Sequence, residues 1–381
     1  MKIKFKVEKE INFFYDKLRK ISVGLANLSE TIHPRLMYMG EKLSVDIMSE
    51  IFYSFGYPTT VVNPIKFLLS DCTNYLDVKI NLDKSINQFS SLKISQDHII
   101  LMAGFVAVNN KKEIVTLGRN GSDYSASVLS VCLRADICEI WKDVNGIYSC
   151  DPNIVKCSHL IKRISYKDAI LLSKFGANVL HHRAVYPIRK FNIPCVIKNT
   201  FSPHSTGTLI SNVSKNINCL MAVKGITSIK NIVVVVIYSD NKKIIEKIKC
   251  RIFNKFFEFK ILIITSKNLR NPKKQELHLY FHKKKSVCYI LKRNFMFDKK
   301  ENEIKSFTIV EKLSIISIIG GLNISYEENL KNLSNFLSSY DIKIYLVLTD
   351  RFDPVMSIVV QDDLANDTLR LCHQFFFKKE E

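Results

Sequence analysis

Residues Leu117 to Ala126, LGRNGSDYSA, gather in one short stretch the groups that hold an anion. Arg119 carries a rigid fork of donors that matches a carboxylate. Gly118 and Gly121 let the backbone approach a ligand closely. Ser122 is expected at the N-cap of a helix, so that helix's unpaired N–H groups and dipole would face whatever binds. Ser125, Val128, Leu129 and Cys132 then follow at helical spacing. These residues predict an anion-binding loop in front of a helix. A glycine-rich surface turn carrying an arginine is the ordinary alternative.

Such a loop needs a scaffold, and the surrounding chain supplies one. Up to about Ser211, short apolar strands alternate with helices: Thr59 to Val62, Ile99 to Met102, Ile137 to Trp141 and Cys195 to Lys198 read as strands, Glu41 to Phe55 and Tyr166 to Leu172 as helices. That rhythm predicts an α/β domain with a largely parallel sheet, in which ligands bind at the carboxyl ends of the strands. After a linker from about Ser211 to Asn218 the rhythm changes and nearly repeats. The first copy runs through a strand at Ile232 to Ile237, a helix at Lys242 to Phe256, and strands at Phe259 to Thr265 and Glu276 to Phe281. The second runs through Leu313 to Ile319, a helix at Glu327 to Ser339, strands at Ile342 to Thr349 and Val355 to Val360, and a last helix through Leu369 to Phe375. His278 and His282 share one face of their strand, but without an acidic neighbour or third ligand they read as ordinary strand residues.

Composition narrows the function classes. At 381 residues and 47% hydrophobic, the chain suits two or more domains with substantial cores. No apolar run reaches membrane-spanning length, and the charged start MKIKFKVEKEINFF does not read as a signal peptide. Ten cysteines without a CxxC pair argue for reduced thiols in a cytosolic protein rather than a disulfide frame or zinc site. The net charge of +20 invites a nucleic-acid reading, yet residues 1–215 and 216–381 each carry 28 Lys+Arg against 18 Asp+Glu. An excess spread this evenly is not a binding patch, and Lys283 to Lys285 reads as a solvated hairpin end.

Three more segments stand in order around the loop: GEKLS (Gly40 to Ser44), IWKDVNGIYSCDP (Ile140 to Pro152) and FGANVLHHRAV (Phe175 to Val185). With LGRNGSDYSA they resemble the kinase part of aspartate kinases, nearest to the bifunctional aspartokinase–homoserine dehydrogenase type. The resemblance runs through the chain and is densest from Leu101 to Asn199. It implies an amino-acid-kinase fold over residues 1–211, a mostly parallel sheet flanked by helices, followed by two ferredoxin-like ACT regulatory units at 219–310 and 311–381. It further implies a homo-oligomer joined through those units, with no nucleic-acid or membrane partner. The activity implied is transfer of the γ-phosphoryl group of ATP, with Mg2+, to the side-chain carboxylate of L-aspartate, giving 4-phospho-L-aspartate on the route to threonine, lysine and methionine.

The same resemblance implies roles for single residues. Arg119 matches the clamp on the substrate carboxylate, Glu41 the acid that holds the substrate ammonium, and Phe105 a residue lining that pocket. Ser122 and Asp123 match the catalytic pair where substrate and phosphate meet, and Gly121, Asp143 and Tyr148 match positions bordering the nucleotide. Each has an ordinary reading: Glu41 as a dipole-stabilised acid at a helix N-terminus, Asp123 as a first-turn acid, Phe105 and Trp141 as core.

The chain also departs from the family pattern. Lys142 stands where a small hydroxyl residue is usual, Asn153 replaces an arginine, Asn178 replaces a lysine, and His182 replaces a proline. A K-F-G-G-[TS] phosphate loop has no counterpart in Met1 to Lys20, where Lys4-Phe5 leads on to Lys6-Val7 and then a helix, and no GxGxxG follows the second ACT-like unit. The expectation is therefore a kinase truncated at both ends and slow to turn over, with a catalytically impaired remnant kept as a binding or subunit-interaction module as the alternative. Tyr238 to Lys243 and Thr265 to Arg270, the stretches matching the family's effector loops, lack glycine, so a weakened effector response is expected.

Overall fold

A computed structural model describes residues 8–9, 11–13, 15–16, 19, 32–93, 95, 97–177, 179–212, 223–239, 261–268, 275–282, 306–321, 326–349 and 353–377. The expected helix Lys242 to Phe256, the lysines at 283–285, Asn178, and parts of both effector stretches lie outside the described residues. The chain forms two compact units. The first comprises residues 1–147, 160–174 and 178–214, and the second comprises residues 148–159, 175–177 and 215–381.

In the first unit, α1 (Ile32–Ser54) precedes β1 (Thr59–Val62), α2 (Pro64–Phe67), α3 (Leu82–Phe89), β2 (Ile99–Met102), β3 (Val106–Val108) and β4 (Ile114–Thr116). Next come α4 (Gly121–Cys132), β5 (Cys138–Lys142), β6 (Arg163–Ser165), α5 (Tyr166–Lys174), α6 (His182–Lys190), β7 (Cys195–Asn199) and β8 (Thr208–Ser211). Strands β1 and β2 pair in parallel, and β3 and β4 form an antiparallel ribbon. A four-stranded sheet has the order β5-β7-β8-β6, parallel at β5–β7 and β6–β8 and antiparallel at β7–β8. The sheets are thus mixed, with parallel pairs at the strands that matter for the site. Helix α4 packs on both β5 and α6, and Val128 and Val131 of α4 and Ala184, Val185 and Ile188 of α6 are buried.

Helix α1 corrects an expectation. It begins at Ile32 and not near Glu41, running 23 residues straight through Gly40. Gly40 is exposed with nothing near it, so its flexibility costs the helix some stability but does not break it. Glu41 therefore sits mid-helix, and stabilisation by an N-terminal dipole no longer accounts for it.

The second unit is built on one six-stranded sheet formed by β9 (Val223–Ser239), β10 (Ile261–Asn268), β11 (Gln275–His282), β12 (Ser306–Gly320), β13 (Leu346–Thr349) and β14 (Val355–Gln361). The order is β10-β11-β9-β12-β14-β13, with every pair antiparallel. The two repeats are visible in that order: each contributes its first strand to the centre, its third next and its second at the edge. Helices α7 (Tyr326–Ser338) and α8 (Ala365–Phe377) cover the second repeat through Leu333, Leu337, Leu369 and Cys372.

Strands β9 and β12 are much longer than the apolar runs Ile232 to Ile237 and Leu313 to Ile319, because a left-handed residue bends each without ending it: Asn231 (φ 54°) and Lys312 (φ 59°). Asp362 clips both bends. Its carboxylate accepts from the Asn231 N–H at 3.0 Å and its own N–H donates to the Lys312 carbonyl at 2.9 Å. The seven described cysteines are all free, and no described helix is long and apolar enough to cross a membrane.

Candidate active site

The anion loop falls where the sequence places it, between β4 and α4, with one correction. The helix begins at Gly121, and its N-cap is Asn120 in a left-handed conformation (φ 57°, ψ 28°) with no side-chain cap bond. Ser122 is inside the first turn, and its exposed side chain is free of capping duty. Asparagine tolerates this conformation better than most residues, which lets the chain turn into the helix two residues earlier.

Gly118 makes the turn possible. Its φ is +82°, and a Cβ there would stand 2.3 Å from Asp77 Oδ1. Asp77 is itself gripped by Arg183 of α6, whose Nη1 donates to Oδ1 at 2.8 Å and to the Asp77 carbonyl at 3.0 Å, while Nη2 donates to Oδ2 at 3.3 Å. Asp77 and Arg183 thus brace the loop from outside. Arg119 is exposed beside this brace, with no ion pair or hydrogen bond of its own among the described residues.

The other wall is the corner between β2 and β3. The Gly104 N–H donates to Glu41 Oε2 at 3.2 Å, and the Phe105 N–H donates to Ser125 Oγ at 2.9 Å. A Cβ on Gly104 would lie 2.8 Å from Ser122 Oγ, and one on Gly121 would lie 2.8 Å from Phe105 Cβ. Glu41, Gly104, Phe105, Gly121 and Ser122 therefore converge at the N-terminus of α4. Phe105 holds φ at 49°, a costly conformation for a bulky residue, of the kind that clusters at ligand sites. It packs against Tyr38, Ala103 and Val106, as its core reading expects.

In the same first turn, Asp123 Oδ2 pairs with Lys142 Nζ at 2.8 Å, the side chains 12% and 19% exposed. Lys142 ends β5, and its carbonyl accepts from the Thr200 N–H at 2.8 Å. Asp143 follows it, exposed. Tyr148 belongs to the second unit. In the first unit Glu41, Phe105, Gly121, Ser122 and Asp123 thus lie around one candidate site, with Arg119 on the same loop and Asp143 following Lys142 in the chain. Sequence reasoning missed Asp77 and Arg183 because they are brought together across 106 positions.

The second unit carries its own cavity of about 600 Å³, lined among others by Cys157, His159, Arg370, His373 and Phe377. None of the sequence-derived site residues lines it. His373 is buried at its wall, with Nε2 2.9 Å from Ser149 Oγ and its ring stacked on Phe377. Among the described residues no group of three or more His, Cys, Asp or Glu converges to hold a metal ion.

Comparison with known proteins bears on the family and the fold. The profile of the Amino acid kinase family matches residues 13–199. A bifunctional aspartokinase/homoserine dehydrogenase of Buchnera aphidicola is 36% identical over 381 residues, covering 98% of this chain and 46% of that protein. Its counterpart from Haemophilus influenzae is 32% identical over 90% of this chain and 42% of that protein. The chain spans about half the length of these curated relatives. Among solved structures, E. coli aspartokinase III in complex with aspartate and ADP superposes with a TM-score of 0.82 at 18% identity, covering 97% of this chain and 82% of that one.

Proposed function

We infer, for a chain whose residues 13–199 belong to the amino acid kinase family, that it is an aspartate kinase, transferring the γ-phosphoryl group of ATP to the side-chain carboxylate of L-aspartate. The observation that carries this reading is the convergence of Glu41, Gly104 and Ser122 at the N-terminus of α4, beside Arg119. An amino acid with two carboxylates needs cationic and anionic partners held apart at fixed spacing, and this arrangement provides both. Arg119 grips the carboxylate that does not react. Glu41, already an acceptor from Gly104 through Oε2, uses Oε1 to accept from the ammonium. The backbone N–H groups and dipole of α4, with Ser122, face the reacting end.

In the chemical step an oxygen of the side-chain carboxylate forms a bond to the γ-phosphorus as the bond to ADP breaks, giving 4-phospho-L-aspartate. No proton need move, so catalysis is positioning and charge neutralisation. Asp143 and Gly121 are assigned to the nucleotide. The described residues offer no resident cage for Mg2+, so the ion in this reading comes with the polyphosphate. The second unit is assigned to oligomerisation through its paired repeats, with no response to threonine or lysine.

Trapping of the acyl phosphate with hydroxylamine tests the reading. ATP- and aspartate-dependent hydroxamate supports it. Aspartate binding without hydroxamate would favour a folded binding module instead.

A further inference from the structure

We propose that Lys142 is the cation that meets the transferring phosphoryl group, and that its bond to Asp123 is the waiting position of that cation. The proposal deepens the phosphotransfer reading above and rests on it.

The first argument is the face of the strand. Along β5, Cys138 and Ile140 are buried whereas Glu139 and Trp141 are exposed. Strand alternation then places Lys142 on the packed side, the one occupied by Cys138 and Ile140. A lysine serving solubility belongs on the other side, where Lys198 lies over the Trp141 ring at 5.2 Å.

The second argument is energetic. The Lys142 and Asp123 side chains are largely buried, and a buried ion pair is weak evidence for stability, since apolar residues of similar size often do as well or better. Asp123 also lies in the first turn of α4, where the helix dipole already favours its carboxylate. The carboxylate does not need Lys142 as much as Lys142 needs the carboxylate. An ammonium has three donors, and among the described residues Lys142 uses one. Two remain for an anion.

The third argument is position. Lys142 ends a parallel strand, and Asp123 opens the helix packed on it, next to Ser122 and the Gly104 corner. Carboxyl ends of parallel strands and helix N-termini are where phosphates bind. Asp123 would repel a phosphate, so Lys142 is the group that makes this end of the site attractive to one. During transfer the ammonium bridges Asp123 and a phosphoryl oxygen and keeps its protons. The acceptor O–P bond forms and the P–O bond to the leaving diphosphate breaks without covalent change in the protein.

The rival explanation is a tether holding α4 to β5. Binding of ATP, ADP and L-aspartate, each by calorimetry, separates the two in the full chain, its Lys142→Met variant and its Lys142→Gln variant. Glutamine can still bond Asp123, so it keeps a tether while removing the charge. The expectation is a loss of ATP affinity of about tenfold or more in both variants, the worth of one charge-assisted contact. ADP and aspartate affinities should change little, and the melting temperature of the glutamine variant should match the parent. Equal losses for ATP and ADP, or an unchanged ATP affinity, would overturn the proposal while leaving the kinase reading intact. A parent chain that binds neither ATP nor aspartate would overturn both.

Discussion

The carboxylate of Glu41 accepts a hydrogen bond from the backbone of Gly104, 63 positions away. This joins the middle of α1 to the corner between β2 and β3, so one oxygen of a mid-helix acid is fixed by main chain rather than by another side chain. The bond holds the Glu41 carboxylate in place by main chain, the preorganisation that the proposed ammonium contact would need.

Glu41→Gln separates the two jobs of that side chain. The amide oxygen still accepts from Gly104, so the melting temperature should hold, while the charge that pairs with an ammonium is gone. L-Aspartate affinity should fall by about 1.5–3 kcal/mol, the range for a hydrogen bond to a charged group. Calorimetric titration checks it, and an unchanged affinity would remove Glu41 from the substrate site.

Arg119→Lys keeps the charge and loses the fork. Because a bidentate contact to a carboxylate cannot be made by an ammonium, aspartate affinity should again drop by about 1.5–3 kcal/mol. The same titration decides, with equal affinity the adverse result.

Two glycines should respond in opposite directions to alanine. Gly118 lies at φ +82° with Asp77 Oδ1 2.3 Å from an added Cβ, and Arg183 prevents Asp77 from retreating freely. Its replacement should cost on the order of 1–3 kcal/mol and disturb substrate binding. Gly40 has nothing within 4 Å, so alanine there should add about 0.5–1 kcal/mol through helix propensity alone. Urea unfolding midpoints give both signs.

Acid should weaken the second unit through His373. Burial holds its imidazole below the ordinary 6.5, and the neighbouring His159 pushes the same way. As pH falls below about 6.5 the unfolded chain takes up a proton that the folded chain refuses, so stability present at neutral pH is lost progressively towards the lower folded value. Melting curves from about pH 8 to about pH 5 should show this decline, and His373→Gln should flatten it. Parallel curves for parent and variant would assign the acid sensitivity elsewhere.

Local pattern made much of the architecture legible. Thr59 to Val62 and Ile99 to Met102 are short apolar runs between polar residues, and both are strands with those bounds. At LGRNGSDYSA the turn into a helix was legible because glycine and a helix start are local features. Breakers misled: Gly40 lies inside α1 with nothing near it, tolerated at a modest cost in helix propensity, and Asn231 lies inside β9, where Asp362 supplies the missing bond. Pairings across the chain were not legible at all. Nothing in the order of residues joins Asp77 to Arg183 or Asp123 to Lys142, and nothing announces that Phe105 takes a left-handed conformation.

The bends at Asn231 and Lys312 bear on how this chain can change length. Strands β9 and β12 meet over 17 and 15 residues at the centre of a sheet whose edges belong to different repeats. A residue inserted or lost in either would turn every following side chain to the opposite face of the sheet, across the joint as well as within its own repeat, and both faces are packed there. At the bends the ladder already carries its irregularity, with register shifts between Val310 and Leu313 and between Leu313 and Ile315. Insertions and deletions should therefore be tolerated best where the register already shifts, at those bends and between Ile319 and Gly320, so that the two repeats keep time with each other however far their sequences drift apart.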